Sequence, residues 1–147
     1  MSDFEPIFFT NDCNENWSLR YKMENRIRSS KEEFAERFRQ KTKRLALGVI
    51  RFSQSLPKTE ESTIIKRQLL RSATSVAANY RAACRARSSA DFYSKISIVI
   101  EEADESLFWM ELLEESGTTT PASVVNLKKE AIEILSVLAK ARKNIKK

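Results

Sequence analysis

The chain has 147 residues, of which 41% are hydrophobic and 31% charged, with only 2 Gly, 3 Pro and a formal net charge of +6. That length suffices for one domain with a real core, and so few turn-forming residues exclude an all-β fold and favour a few long helices joined by short loops. No run of about 18 apolar residues occurs, so no transmembrane helix is predicted, and the absence of any histidine removes His-based acid–base chemistry and the Glu-x-x-His pattern of di-iron bundles.

Residues 1–29 mix aromatics with Asn and Asp without a sustained period. They read as a loosely ordered N-terminal arm ahead of a bundle over residues 30–147. Met23 offers a second start, which would place the first 22 residues outside the natural protein. The N-terminus lacks the basic, apolar, small-residue order of a secretory signal. Cys13 and Cys84 lie far apart in different contexts, so both are read as reduced thiols, and a cytoplasmic location is expected.

The first helix is predicted to start at Ser30, with Glu33 completing a capping box. Phe34, Phe38, Leu45, Val49, Phe52 and Leu56 then recur at helical spacing to about residue 55, before Pro57 breaks the pattern. Thr59 caps a second helix, with Glu60 and Glu61 placed against its dipole and Ile65, Leu69, Ala73, Val76, Tyr80 and Ala83 as its buried stripe. Ser88 and Asp91 form a second capping box for a helix that buries Phe92, Ile96, Val99, Ala103, Leu107 and Met110 and stops at Gly117. Thr120 and Pro121 open the fourth helix, with Val124, Leu127, Ala131, Ile134, Leu135, Leu138 and Ile145 facing inward. The expected fold is all-α: an antiparallel up-down-up-down four-helix bundle.

Once the core is assigned, some surfaces are left over. With Ile96 inward and residues at roughly 100° steps, Ile98, Trp109 and Leu112 of the third helix point away from the core and Phe108 lies on a flank. That helix carries eight acidic residues against one base, Lys95. The second helix is the complement. Its outward face holds Arg67, Arg71, Arg81 and Arg85, with the small residues Ser75, Ala78 and Ala82 between them. Arginine pairs with carboxylate through two parallel bonds. An arginine stripe on one copy therefore matches Glu101, Glu105 and the apolar anchors on another, head to tail. Pairing of these helices inside one chain is the competing reading, and single exposed apolar residues or a solvated charged face are the plainer ones.

The stretch from Leu56 to Leu113 includes Leu56-Pro57, Gln68-Leu69, Arg71-Ser72-Ala73, Ser75-Val76, Asn79, Phe92 and Glu102-Ala103-Asp104-Glu105-Ser106 leading to Leu112. Together these resemble the bacterial four-helix bundle proteins first met as reading frames in intervening sequences of 23S ribosomal RNA genes, over about residues 31–140. Many members carry a Glu-Gly-rich segment after the second-helix Asn. Here "YRAACRARS" stands in its place, as in a basic sub-branch. The resemblance implies a bundle that assembles as a homo-oligomer, a pentameric ring, with no enzymatic activity. The family is similar to the accessory proteins of diversity-generating retroelements, which implies nucleic acid and a nucleic-acid-processing protein as partners.

Catalytic and metal chemistry find little support. Glu101, Glu102, Asp104 and Glu105 spread over about 160° of helix surface and do not converge on a cation. Cys84 lies beside Arg81 and Arg85 but at the edge of the buried stripe, where a small packed thiol is expected rather than a nucleophile. No Gly-rich phosphate loop occurs. No cofactor, small-molecule substrate or membrane partner is expected. Basic residues do cluster: Arg37, Arg39, Lys43, Arg44 and Arg51 in the first helix, and Lys140, Arg142, Lys143, Lys146 and Lys147 at the C-terminus. They are read as contacts to RNA or DNA backbone without sequence readout. A solubilising surface is the plain alternative, and an adaptor that docks an acidic protein partner is the competing function.

Overall fold

The computed structural model describes residues 12–145, with side chains from residue 16 onward; Met1–Asn11, Lys146 and Lys147 lie outside the described residues. Four helices follow in order: α1 (Asp12–Gln54), α2 (Glu60–Ala83), α3 (Ser89–Glu115) and α4 (Pro121–Lys143). No strand occurs among the described residues. The chain divides into two compact units between Glu36 and Arg37, within α1.

In the first unit, α1 is already helical from Asp12, so Ser30 is an interior residue and not an N-cap. Its hydroxyl donates back to the Ile27 carbonyl at 2.9 Å, and Ser29 bonds to Glu33. Two features explain the longer helix. No Gly or Pro interrupts residues 12–47, and i,i+4 ion pairs Arg20–Glu24 and Arg28–Glu32 support it locally. Leu19, Met23 and Ile27 repeat at i, i+4 and i+8, a period that the interleaved Trp17 and Tyr21 obscure in the sequence.

The second unit is the bundle. Leu45, Val49, Leu69, Val76, Ile96, Val99, Met110, Leu113, Val124, Ile134 and Leu138 are fully buried and form one core drawn from all four helices. Antiparallel order follows from paired positions that run in opposite directions. Along α1, Lys41, Arg44 and Gly48 meet Glu133, Glu130 and Leu127 of α4 in turn. Along α3, Ser97 meets Arg142 and Glu114 meets Lys128. Short loops make the α1–α2 and α2–α3 neighbours antiparallel as well, with Phe38 against Tyr80 and Ser72 against Ser106. Gly48 sits under Leu127: a Cβ there would fall 2.6 Å from the Leu127 Cδ2, so glycine permits the α1–α4 approach.

The helix ends obey local chemistry. Thr59 accepts from the Ser62 N–H at 3.3 Å and Ser88 from the Asp91 N–H at 3.1 Å. Asp91 reaches back one residue further than a capping box requires, accepting from the Arg87 N–H. Thr120 has the extended backbone of an N-cap, but its hydroxyl pairs with the Ser123 hydroxyl and not with a backbone N–H. Gly117 takes φ of 73° after α3, the left-handed conformation glycine adopts without a Cβ penalty. Ile145, predicted as the end of the fourth stripe, lies past the end of α4.

Candidate nucleic-acid and self-association surfaces

The Arg71-Ser72-Ala73 and Glu102-to-Ser106 elements of the family resemblance meet at the seam between α2 and α3. Ser72 and Ser106 are fully buried, with their hydroxyls 2.9 Å apart; Ser106 also bonds the Glu102 carbonyl at 2.8 Å and Ser72 the Leu69 carbonyl at 3.2 Å. Flanked by buried Ala73 and Ala103, they let the two helices approach closely while leaving no buried hydroxyl unpaired at this contact. At the rim of the seam, Arg71 bonds both Glu102 and Glu105. The Arg71-Ser72-Ala73 and Glu102-to-Ser106 elements are thus a lock inside one chain.

Two residues predicted for the interface between copies are engaged inside one chain. Arg71 and Glu105, assigned to opposite sides of a contact between copies, meet each other within one chain. The partly exposed Glu105 carboxylate has a second donor, the Trp109 indole N–H at 3.0 Å. Bonds from Arg71 and Trp109 hold the Glu105 carboxyl below the usual glutamate range, and Glu105 in turn raises the Arg71 guanidinium above its own.

The outward face of α3 is also rotated from the predicted one. Trp109 and Leu112 are half-buried, whereas Phe108 is 50% exposed and Ile98 is 38% exposed. The reason is geometric. Ile96 lies near one edge of the buried arc, whose centre is closer to Val99 and Met110, so taking Ile96 as the inward direction turns the helix by roughly 50°; that turn brings Trp109 inward and Phe108 outward, while Leu112 keeps its outward direction. Phe108, predicted on a flank, is the outermost aromatic, and its ring meets the Trp109 edge with centroids 4.8 Å apart. Glu101 and Asp104 are exposed on the same face, and neither makes an ion pair among the described residues.

Arg67 and Arg81 of α2 are exposed, as is Ala78, while Ala82 is partly covered; Arg85, predicted on the same helix face, is exposed in the turn after α2. Cys84, expected as a packed thiol, is exposed at the C-cap of α2, past the buried stripe that ends at Ala83. Its backbone N–H donates to the Tyr80 carbonyl. Burial raises the Tyr80 hydroxyl well above its ordinary range.

Antiparallel order has a consequence for charge. Phe38 meets Tyr80, and Arg142 lies 6.0 Å over the Tyr93 ring and 3.4 Å from the Ser97 hydroxyl. One end of the bundle therefore gathers Arg37 and Arg39 of α1, Arg81 with Arg85 and Arg87 after it, and Lys140, Arg142 and Lys143 closing α4. Asp91, at the start of α3, is held by Lys95 and the Arg87 N–H, which keep its carboxyl below the usual range. The opposite end gathers Glu60 and Glu61 at the start of α2 and Glu111, Glu114 and Glu115 at the end of α3. There Glu114 bonds Lys128 at 2.7 Å and raises the Lys128 ammonium above its ordinary value.

Of the residues predicted to touch nucleic acid, Arg37, Arg39, Lys140, Arg142 and Lys143 share the basic end. Lys43 is exposed one turn further along α1; Arg44 is engaged with Glu130 at 2.7 Å, and Arg51 lies in the last turn of α1, towards the other end. Lys146 and Lys147 lie outside the described residues. Arg81, Arg85 and Arg87 belong to this end as much as to any α2 stripe. The signal for that was their place at the end of a helix, which antiparallel packing sets beside the end of α4.

Among the described residues, no three of His, Cys, Asp and Glu are placed to hold a metal ion, and no helix is long and apolar enough to cross a membrane.

Comparison with known proteins agrees with this architecture. The chain matches the family described as 23S rRNA-intervening sequence protein over residues 36–140. Among solved structures it is similar to a protein of unknown function from the S23 ribosomal protein family of Bacteroides thetaiotaomicron, a crystal structure at 1.70 Å resolution. The two share 30% identity with a TM-score of 0.67, over 72% of this chain and 98% of the other. No curated protein matches the chain. A match over most of the chain that takes in the whole α2–α3 lock shows that this chain belongs to the 23S rRNA-intervening sequence protein family.

Proposed function

We propose that this protein is a non-enzymatic homo-oligomeric scaffold, a pentameric ring, that binds RNA or DNA through the basic end of its bundle. The observation that carries the reading is the convergence of bases from three helices on that end, where Asp91, the acid at the start of α3, is already paired with Lys95. Bases grouped without a recognition helix or a base-reading pocket contact phosphates, so binding is strong at low salt and indifferent to sequence. Self-association is supported by the exposed Phe108 and Ile98 on α3 beside the exposed carboxylates Glu101 and Asp104.

The test is a titration of a structured RNA hairpin and a DNA duplex by fluorescence anisotropy at several salt concentrations. We expect binding that weakens steeply as salt rises, and a loss of at least about tenfold at low salt in Arg81→Glu/Arg85→Glu/Lys140→Glu, with a shallower salt slope. No binding by the wild type at low salt would overturn the reading.

A further inference from the structure

The α1 segment over residues 17–31 lies ahead of the family match, which begins at residue 36. It is an amphipathic helix whose apolar strip nothing covers among the described residues. Met23 is 64% exposed, Leu19 60% and Ile27 52%. The segment holds five bases, Arg20, Lys22, Arg26, Arg28 and Lys31, against one acid, Glu24. Glu24 pairs with Arg20, whereas Lys22, Arg26 and Lys31 make no ion pair among the described residues. At roughly 100° per residue, Lys22 and Arg26 border one side of the Leu19–Met23–Ile27 strip, and Arg20 and Lys31 the other.

A surface of opposite character exists on α3. Ile98 and Phe108 are exposed there, with Glu101 and Asp104 between them on the same face and unpaired. The lengths agree. The strip from Leu19 to Ile27 runs about 12 Å along its helix, and Ile98 to Phe108 about 15 Å. Exposed apolar strips of this kind mark contact surfaces, and complementary charge fixes which partner and which register.

We propose that residues 17–31 form a clasp between subunits: the Leu19–Met23–Ile27 strip seats on Ile98 and Phe108 of a second copy, and Lys22 and Arg26 face its Glu101 and Asp104. The clasp rests on the self-association reading above but is separable from it, because the bundle faces that the family shares lie outside the segment. The chosen partner follows from charge. The segment is basic and apolar, and α3 is the strongly acidic, apolar face of this chain; phosphates would satisfy the bases but leave the strip uncovered.

Two measurements on the full chain test it. The first is solution mass over a range of concentrations for the wild type, Met23→Asp/Ile27→Asp and Phe108→Asp. All three sites are exposed, and circular dichroism checks that the helices persist. The clasp predicts that both variants weaken association at least about tenfold. Association lost in Phe108→Asp but unchanged in Met23→Asp/Ile27→Asp overturns the clasp and leaves self-association standing; a wild type that is monomeric throughout overturns both. The second is cross-linking, with both native cysteines replaced by serine. Chains carrying Met23→Cys are mixed with chains carrying Phe108→Cys and oxidised. A covalent pair containing one of each supports the clasp. Its absence overturns it, as does a double-cysteine chain that closes only on itself.

Discussion

Glu105 accepts from the Arg71 guanidinium and the Trp109 indole N–H, and both bonds favour its charged form. Its folded pKa is therefore below its unfolded one. A depressed carboxylate contributes stability that is present above the unfolded value and is lost as pH falls through the folded one. The window opens near the ordinary glutamate value, about pH 4.3, and extends downward. Urea midpoints measured from neutral pH to pH 3 will fall across that window for the wild type and fall less for Glu105→Gln, which is already weaker at neutral pH. Asp91, depressed by Lys95 and the Arg87 N–H, contributes with the same sign, so the slope is reduced in the variant and not abolished. This contact also bears on the interface reading. Arg71 is half exposed, yet its guanidinium is engaged by two carboxylates of its own chain, so it has less to offer a second copy than Arg67 or Arg85.

The α2–α3 pair depends on small side chains at one level. Ser72 and Ser106 fill the closest approach, and each hydroxyl finds a partner there. Ser106→Leu adds volume where no space exists and removes a hydrogen-bond partner of Ser72. A loss of about 1–3 kcal/mol is expected from overpacking alone, read as a lower urea midpoint with the same denaturant slope. Helix ends were legible for a local reason. Thr59, Ser88, Gly117 and Pro121 act through bonds and dihedrals within a few residues of themselves. The start of α1 was not legible. Ser30 and Glu33 satisfy the capping pattern, but the chain upstream is equally free of helix breakers, and a cap motif inside a continuing helix has no ends to satisfy.

On the scale of the whole molecule, antiparallel order turns a modest excess of bases into two poles of opposite sign. Charges of one sign gathered on one surface attract a polyanion far more than the same charges dispersed. Inorganic polyphosphate is therefore expected to raise the thermal midpoint at low ionic strength, because a ligand that binds the native state stabilises it. The shift should vanish near 0.5 M salt, where screening falls within a few ångströms, and should be absent in Arg81→Glu/Arg85→Glu. A scanning fluorimetry series over salt checks this; an equal shift in the variant would place the polyanion elsewhere.

The four helices, their periods and most of their boundaries follow from the amino-acid sequence by itself, because apolar spacing, caps and breakers act over one or two turns. The acidity of α3 and its excess of apolar side chains were equally visible there. Only the tertiary structure decided which way each face turns. Phe108 is outside and Trp109 half inside because the centre of the buried arc is set by all the neighbours of α3, not by one chosen core residue. Which charges pair with which was decided in the same way: Arg71 with Glu105, Arg44 with Glu130, and Arg81 beside the end of α4 are relations between segments far apart in the chain, and distance in space is the one quantity that a linear pattern does not contain.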